Sequence, residues 1–144
     1  MGKNTKNVIV LSGGFDPVHK GHVRMFKAAS KLGKVVVGLN SDEWLIRKKN
    51  KFFMSFEERF EILSAIKYID SVYDFDDSDD TAINLISKIN QIFSNQYLVF
   101  FGNGGDRNNE TTPEVEYCLK NKIELIWNLG GDKIQSSSDL LQKW

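Results

Sequence analysis

Residues 7–22 read N-V-I-V-L-S-G-G-F-D-P-V-H-K-G-H, and this stretch decides the fold. Residues 7–12 form a short apolar, β-branched run, the pattern of a strand buried on both faces. Gly13-Gly14 closes the run. Residues 20–32 then place Val23, Phe26, Ala29 and Leu32 at helical spacing, with Gly33 positioned to end the helix.

The alternation continues along the chain. Residues 35–39 predict a second buried strand, and Asn40 is placed to cap the helical turn after it, with Glu43 at its third position. Ser55 and Glu58 have capping-box spacing for a helix to about residue 68, whose core stripe is Phe56, Phe60, Leu63, Ile66 and Ile69. Residues 71–75 predict a short third strand near an edge. Asp79 or Asp80 is placed to cap a helix carrying Ala82, Leu85, Ile86, Ile89 and Phe93. Residues 97–101 are the most apolar strand, and residues 123–127 the fifth. Between them Thr112-Pro113 opens a helix with Val115, Cys118 and Leu119 inward, and a short helix follows Ser136. This order predicts an α/β fold: a five-stranded, mostly parallel sheet with helices on both faces. In such folds the active site lies beyond the carboxyl ends of the strands, where the strand order reverses.

Length and composition narrow the class. The 144 residues suit one domain over 1–144, and 41% hydrophobic with 26% charged residues is ordinary for a globular chain. Lys+Arg and Asp+Glu both total 19. A protein that neutralises many phosphates carries a basic surplus, so the balance argues against a nucleic acid as main partner. Cys118 is the only cysteine, which excludes an intrachain disulfide and a thiolate metal cluster. Residues 1–7 are polar and no stretch approaches the length of a membrane span, so the expectation is a reduced, cytoplasmic protein without membrane contact.

The chemistry concentrates in the turn after the first strand. The chain has two histidines, and both fall there, at His19 and His22. Gly13 and Gly14 allow close backbone approach, so that N–H groups meet an oxyanion. His22 lies at the start of a helix whose dipole favours negative charge. Together these residues make a phosphate site with two imidazole donors. Two other readings compete: a helix-start pair with a structural role, or half of a metal site. The metal reading lacks further ligands, with no third histidine and no H-E-x-x-H spacing, and no residue is assigned to a metal.

His19-Lys20-Gly21-His22 after G-G-F-D-P resembles the H-x-G-H signature of the cytidylyltransferase-like nucleotidyltransferases. That superfamily includes glycerol-3-phosphate and phosphocholine cytidylyltransferases, heptose-phosphate adenylyltransferases and phosphopantetheine adenylyltransferase. Further stretches carry the likeness: N-S-D-E at 40–43, Arg47-Lys48-Lys49, S-F-E-E-R at 55–59, G-N-G-G-D at 102–106 and Ser136-Ser137-Ser138.

The resemblance implies a Rossmann-like fold and in-line transfer of CMP from CTP to a phosphorylated small alcohol or sugar, with release of pyrophosphate. The alternative is an adenylyltransferase using ATP and a heptose or other sugar phosphate. A reading from another class is a nucleotide-binding regulatory domain without turnover. The transfer needs no covalent intermediate and no strong general base, because the acceptor phosphate is already an anion. His19 and His22 are then the catalytic candidates. Gly13, Gly14, Phe15, Lys20, Gly102, Asp106, Ser136, Ser137 and Ser138 are implied at the nucleotide, and Asp16, Lys48, Lys49 and Arg59 at the acceptor or the phosphates. Several have a plainer role beside them: a solvated face for Lys48 and Lys49, an ion pair with Glu57 or Glu58 for Arg59, a turn cap for Asp106, a helix cap for the serines, and loop orientation for Asp16. Mg²⁺ is expected with the triphosphate on charge grounds, and related enzymes are commonly homodimers. One departure stands out. Residues 130–136 read G-G-D-K-I-Q-S where the glycerol-phosphate and phosphocholine enzymes carry R-T-x-G-I-S-T; the arginine is missing, and Lys133 is expected to replace only part of its function, as a point charge without bidentate geometry. Gly104-Gly105-Asp106 leans instead toward the heptose-phosphate enzymes.

Overall fold

The central strand is β1 (Asn7–Gly13), whose side chains alternate between two separate cores. Val8 and Val10 face one, Ile9 and Leu11 the other, and all four are fully buried. A strand covered on both faces has no use for polar alternation, hence the continuous apolar run. The computed structural model of the protein describes residues 6–105 and 112–131; Asp106, Ser136, Ser137, Ser138, Lys133 and the closing helix expected after Ser136 lie outside the described residues.

From β1 the chain runs through α1 (Lys20–Ser30), β2 (Lys34–Leu39), α2 (Asp42–Lys49), α3 (Phe56–Ser64), β3 (Ser71–Tyr73), α4 (Ile83–Phe93), β4 (Leu98–Gly102), α5 (Val115–Lys120) and β5 (Glu124–Ile126). The sheet order is β3-β2-β1-β4-β5 and every pairing is parallel, the expected Rossmann-like arrangement. Phe26 and Ala29 of α1 and Leu63 of α3 pack on the Ile9/Leu11 side with Val35, Val37 and Leu39. Leu85, Ile86 and Ile89 of α4 and Cys118 of α5 cover the Val8/Val10 side with Val36, Val99 and Phe101. The order reverses between β1 and β4, so the loops after these strands diverge there and leave a crevice. Among the described residues no helix is long and apolar enough to cross a membrane.

Local details depart from the sequence expectations. Ser41, not Asn40, caps α2, its hydroxyl accepting the Trp44 N–H at 3.0 Å. Asn40 is drawn inward because its side-chain amide donates to Asp77. Ser55 caps α3 as expected, but the helix stops at Ser64. Its last turn tightens into i→i+3 bonds, and Asp70 N–H then bonds Val35 C=O, pulling the chain into the edge strand β3. Neither Asp79 nor Asp80 caps α4; Asp79 holds the turn before it by accepting the Thr81 N–H. The carboxylate of Glu114, 32 residues downstream, takes the Ala82 N–H at 2.7 Å instead. Pro113 precedes α5 rather than opening it. Val23, Phe60 and Leu119 lie on the exposed sides of their helices, Leu119 at 70%, and Leu32 is exposed in the turn after α1, which ends at Ser30. Helical spacing identifies a face but not its width, and these are its margins.

Candidate active site

Gly13 ends β1, and the next residues fold back over it. Phe15 has φ +49° and is buried, with its ring so near Gly13 that a Cβ built there would lie 2.9 Å from Phe15 Cζ. Only glycine permits that approach. Phe15 stands edge-on to His22, centroids 4.8 Å apart, and is backed by Phe26 at 5.5 Å. A hydrophobic peg anchored in the core thus sets the plane of one imidazole. The peptide bond between Asp16 and Pro17 is cis.

His19 is the N-cap of α1. Its Nδ1 accepts the Gly21 N–H at 3.1 Å, while the Nδ1 of His22 accepts the His19 N–H at 3.2 Å. This is a capping box built from two imidazoles. The rings stack with centroids 3.8 Å apart and planes 22° from parallel. A ring nitrogen that accepts from an amide carries no proton, so each ring bears its hydrogen on Nε2. Backbone geometry therefore selects the tautomer that makes both histidines Nε2–H donors, at the positive end of a helix and beyond the carboxyl end of the central strand.

Asp16 is buried, and its two carboxylate oxygens accept the backbone N–H groups of Phe53 (2.6 Å) and Met54 (2.7 Å). It ties the β1 loop to the segment between α2 and α3. Arg59, read from the sequence as a phosphate ligand or half of an ion pair with Glu57 or Glu58, does something different. Its side chain is wholly buried and donates to the carbonyls of Met54 (3.0 Å), Gly14 (2.9 Å) and Asn40 (2.8 Å), and to the Asp42 carboxylate at 2.6 Å. The guanidinium joins the loops after β1 and β2 to the start of α3, with its donors turned inward.

The basic run on α2 divides by side. Arg47 turns outward to the Asp80 carboxylate and the Asp77 carbonyl. Lys48 turns toward Trp44, its Nζ 5.3 Å from the indole centroid, and lines a cavity of about 390 Å³ with Ser12 and Gly13. Lys49 is half-buried and Lys20, the first residue of α1, is exposed. Asp77 is a residue that sequence reasoning missed. It is buried and accepts from the Asn40 amide (3.0 Å), the Ser41 N–H (2.8 Å) and the Ser41 hydroxyl (2.8 Å), fixing the start of α2. Nothing in the tract D-F-D-D-S-D-D at 74–80 distinguishes it from its neighbours.

Gly102 ends β4 on the opposite wall. The buried Asn103 after it links that wall to β5, its N–H donating to Ile126 C=O and its own carbonyl accepting the Leu129 N–H. Gly130, at φ +81°, then rests on α1: a Cβ there would lie 2.9 Å from Met25 N. The chain beyond β5 is thereby brought back onto the helix that carries His22. Among the described residues no group of three or more His, Cys, Asp or Glu side chains is placed to hold a metal ion.

A family model described as cytidylyltransferase-like matches residues 10–140. The bifunctional protein HldE of Syntrophotalea carbinolica is 38% identical over 143 residues, which is 96% of this chain and 27% of that protein. The glycerol-3-phosphate cytidylyltransferase of Bacillus subtilis is 37% identical over 65 residues, 44% of this chain and 50% of that protein. The chain thus spans half or less of these relatives. In fold it is similar to the lipopolysaccharide core biosynthesis protein of Thermoplasma volcanium, with a TM-score of 0.64 at 22% identity over 85% of this chain and 95% of that one.

Proposed function

The chain belongs to the cytidylyltransferase-like family, and from that premise we propose that it is a nucleotidyltransferase moving CMP from CTP to a phosphorylated small alcohol or sugar. The observation that carries this reading is the locked imidazole pair. Two stacked imidazoles at the start of α1, just beyond β1, have Nδ1 engaged by backbone amides, which leaves each an Nε2–H donor.

An oxygen of the acceptor phosphate attacks the α-phosphorus of the nucleotide. The new P–O bond forms as the bond to the bridging oxygen breaks, and pyrophosphate leaves with the electron pair. The nucleophile enters as an anion, so no residue is asked to remove a proton. His19 and His22 stabilise charge on the phosphoryl oxygens as it moves toward the leaving group, and the N-terminus of α1 adds to the same field. Gly13 and Gly14, whose missing side chains make room for Phe15 and for Leu45 and Trp44, hold the loop in the shape that meets the phosphates. Lys48 holds the acceptor phosphate, with Lys49 and Lys20 adding positive charge nearby. Asp16 and Arg59 act at one remove by fixing the loops. Asp106 and Ser136 to Ser138 complete the nucleotide side, as the family likeness implies. Mg²⁺ enters as part of the triphosphate substrate, shielding its charge.

A second reading, transfer of AMP from ATP to a sugar phosphate, is favoured by the extent of the HldE likeness, 96% of this chain. Incubation with CTP and ATP separately, Mg²⁺ and a panel of phosphorylated alcohols and sugars tests both, with pyrophosphate and the nucleotide-linked product followed by mass spectrometry. Product from CTP alone supports the first reading, and product from ATP alone the second. Nucleotide binding by calorimetry without pyrophosphate from any pair overturns both in favour of a regulatory nucleotide-binding domain.

A further inference from the structure

The amino end of the sheet carries a surface that nucleotidyl transfer does not use. β1 is 7 residues long, so this end lies about 20 Å from the histidine loop. Leu32, in the turn after α1, is 41% exposed, and Leu98, the first residue of β4, is 65% exposed. Asn7 joins them: its side-chain amide donates to Leu32 C=O at 3.2 Å, and its backbone pairs in register with Leu98. The two leucines therefore belong to one patch. Tyr97 adjoins Leu98 in the chain, with the Lys34 ammonium 5.6 Å from its ring centroid.

A cavity of about 690 Å³ adjoins this patch, between the connections that lead into β2 and β3. Its lining includes the buried Val35 and Ile69, the half-buried Tyr68 and Tyr97, and Ser30 and Gly33 from the end of α1. Its charged groups are Lys34, Lys67 and Asp70. Asp70 pairs with Lys34 at 3.4 Å, and Lys67 holds its ammonium 5.2 Å from the Tyr68 ring centroid. Two ammoniums against one carboxylate leave the cavity positive. Lys6, Lys31 and Lys122 stand in the connections at the same end, and Glu124, which opens β5, is a second acid there.

Cations near helix C-termini are ordinary, because the dipole favours them. Exposed leucines set among them have no such reason. The described arginines, Arg24, Arg47 and Arg59, lie within α1, α2 and α3, so the cations of this end are lysines. Protein interfaces favour arginine and deplete lysine. A nucleic acid offers phosphates but little for leucine. Lysine with leucine and tyrosine instead suits an anionic bilayer, where ammoniums meet headgroups, phenol rings sit at the interface and leucines reach the acyl boundary. We propose that this end of the molecule docks on a bilayer surface bearing anionic phospholipids. Leu32 and Leu98 enter the acyl boundary, and a phosphate headgroup enters the cavity toward Lys34 and Lys67. Surface contact of this kind requires no spanning stretch, the feature whose absence led to the expectation of no membrane contact. The docking goes beyond the transferase reading, does not depend on it, and leaves the histidine loop on the aqueous side.

Sedimentation of the full chain with vesicles of phosphatidylcholine, alone or mixed with phosphatidylglycerol, tests the docking. Wild type should bind the mixed vesicles at low ionic strength and come off as salt is added. Lys31→Gln combined with Lys67→Gln should weaken partitioning by roughly twentyfold, since each lysine near an anionic surface contributes about fivefold. Leu32→Gln combined with Leu98→Gln should weaken it by roughly tenfold. Asp70→Asn removes the carboxylate of the cavity and should strengthen binding severalfold, a gain that misfolding cannot imitate. All five side chains are exposed, so thermal melts of the variants should match wild type. Failure to bind mixed vesicles, or binding that survives both double variants, overturns the proposal. A single-stranded oligonucleotide bound more tightly than the vesicles, with the leucine pair immaterial, overturns it in favour of a nucleic acid. A dimer seen by light scattering and disrupted by the leucine pair, without vesicle binding, overturns it in favour of a second copy of the chain.

Discussion

His22 Nδ1 accepts the backbone N–H of His19 at 3.2 Å, while the two rings stack at 3.8 Å. Each histidine thus has one nitrogen engaged by the backbone and another that carries the proton. Nδ1 closes the start of α1, and Nε2 keeps the proton. The split permits substitutions that separate the two roles.

In His19→Asn the side-chain oxygen replaces Nδ1 as a cap, but nothing replaces the Nε2–H. Stability should stay within about 0.5 kcal/mol of wild type, since asparagine caps well. Turnover should fall by roughly 10²–10³, the usual effect of losing one such donor. His19→Ala should lose the same activity and, in addition, about 1 kcal/mol of stability. Steady-state pyrophosphate release and urea unfolding measure the two quantities, and unchanged turnover in His19→Asn would remove the histidine from the mechanism.

Arg59 should behave as a keystone rather than a ligand. Arg59→Met leaves the Asp42 carboxylate and three carbonyls without their donor, and unfolding in urea should register about 3–5 kcal/mol of lost stability. Arg59→Lys keeps the charge but not the fork and should still lose much of it. Full stability in Arg59→Lys, with a raised KM for substrate alone, would instead indicate direct contact with the ligand.

Gly130→Ala combines two penalties. The residue sits at φ +81°, and the added Cβ meets the α1 backbone at Met25. About 1–3 kcal/mol of destabilisation is expected, with a fall in turnover if α1 shifts beneath His22. Gly131→Ala shares the positive φ but meets nothing within 4 Å, so comparing the two melts isolates the steric part.

Burial, reinforced by the charge of Glu114, pushes the Cys118 thiol up from its ordinary 9.0 to about 11. The folded protein therefore holds this proton more tightly than the unfolded chain does. The resulting stabilisation is complete below pH 9 and is lost as pH rises through about 11. Wild type and Cys118→Ala, unfolded in urea at pH 8, 10 and 11, should differ most at pH 8 and progressively less above it. A gap independent of pH would mean that the thiol titrates alike in both states.

The strand–Gly-Gly–His–helix junction was legible because each of its parts is local. Apolar residues 8–11 make a buried strand wherever it lies, Gly13 permits the turn, and His19 and His22 are three positions apart on one helix start. Arg59, Asp77 and Glu114 were not legible in their roles. Each acts on backbone or side chains 17 to 45 residues away, except where Arg59 reaches Met54. Even neighbours on one helix parted company, Arg47 turning to the acidic loop and Lys48 to the cavity.

By itself the sequence determined the alternating parallel fold and the position of the Gly-Gly–His turn, since both follow from short-range periodicity and from the residue types a tight turn admits. Only the tertiary structure decided which tautomer the histidines adopt, which charged side chains serve as internal ties, and which helix start carries a carboxylate in place of a phosphate. Those choices depend on polar groups brought together by chain crossovers, and a buried polar group takes whatever partner the fold sets beside it.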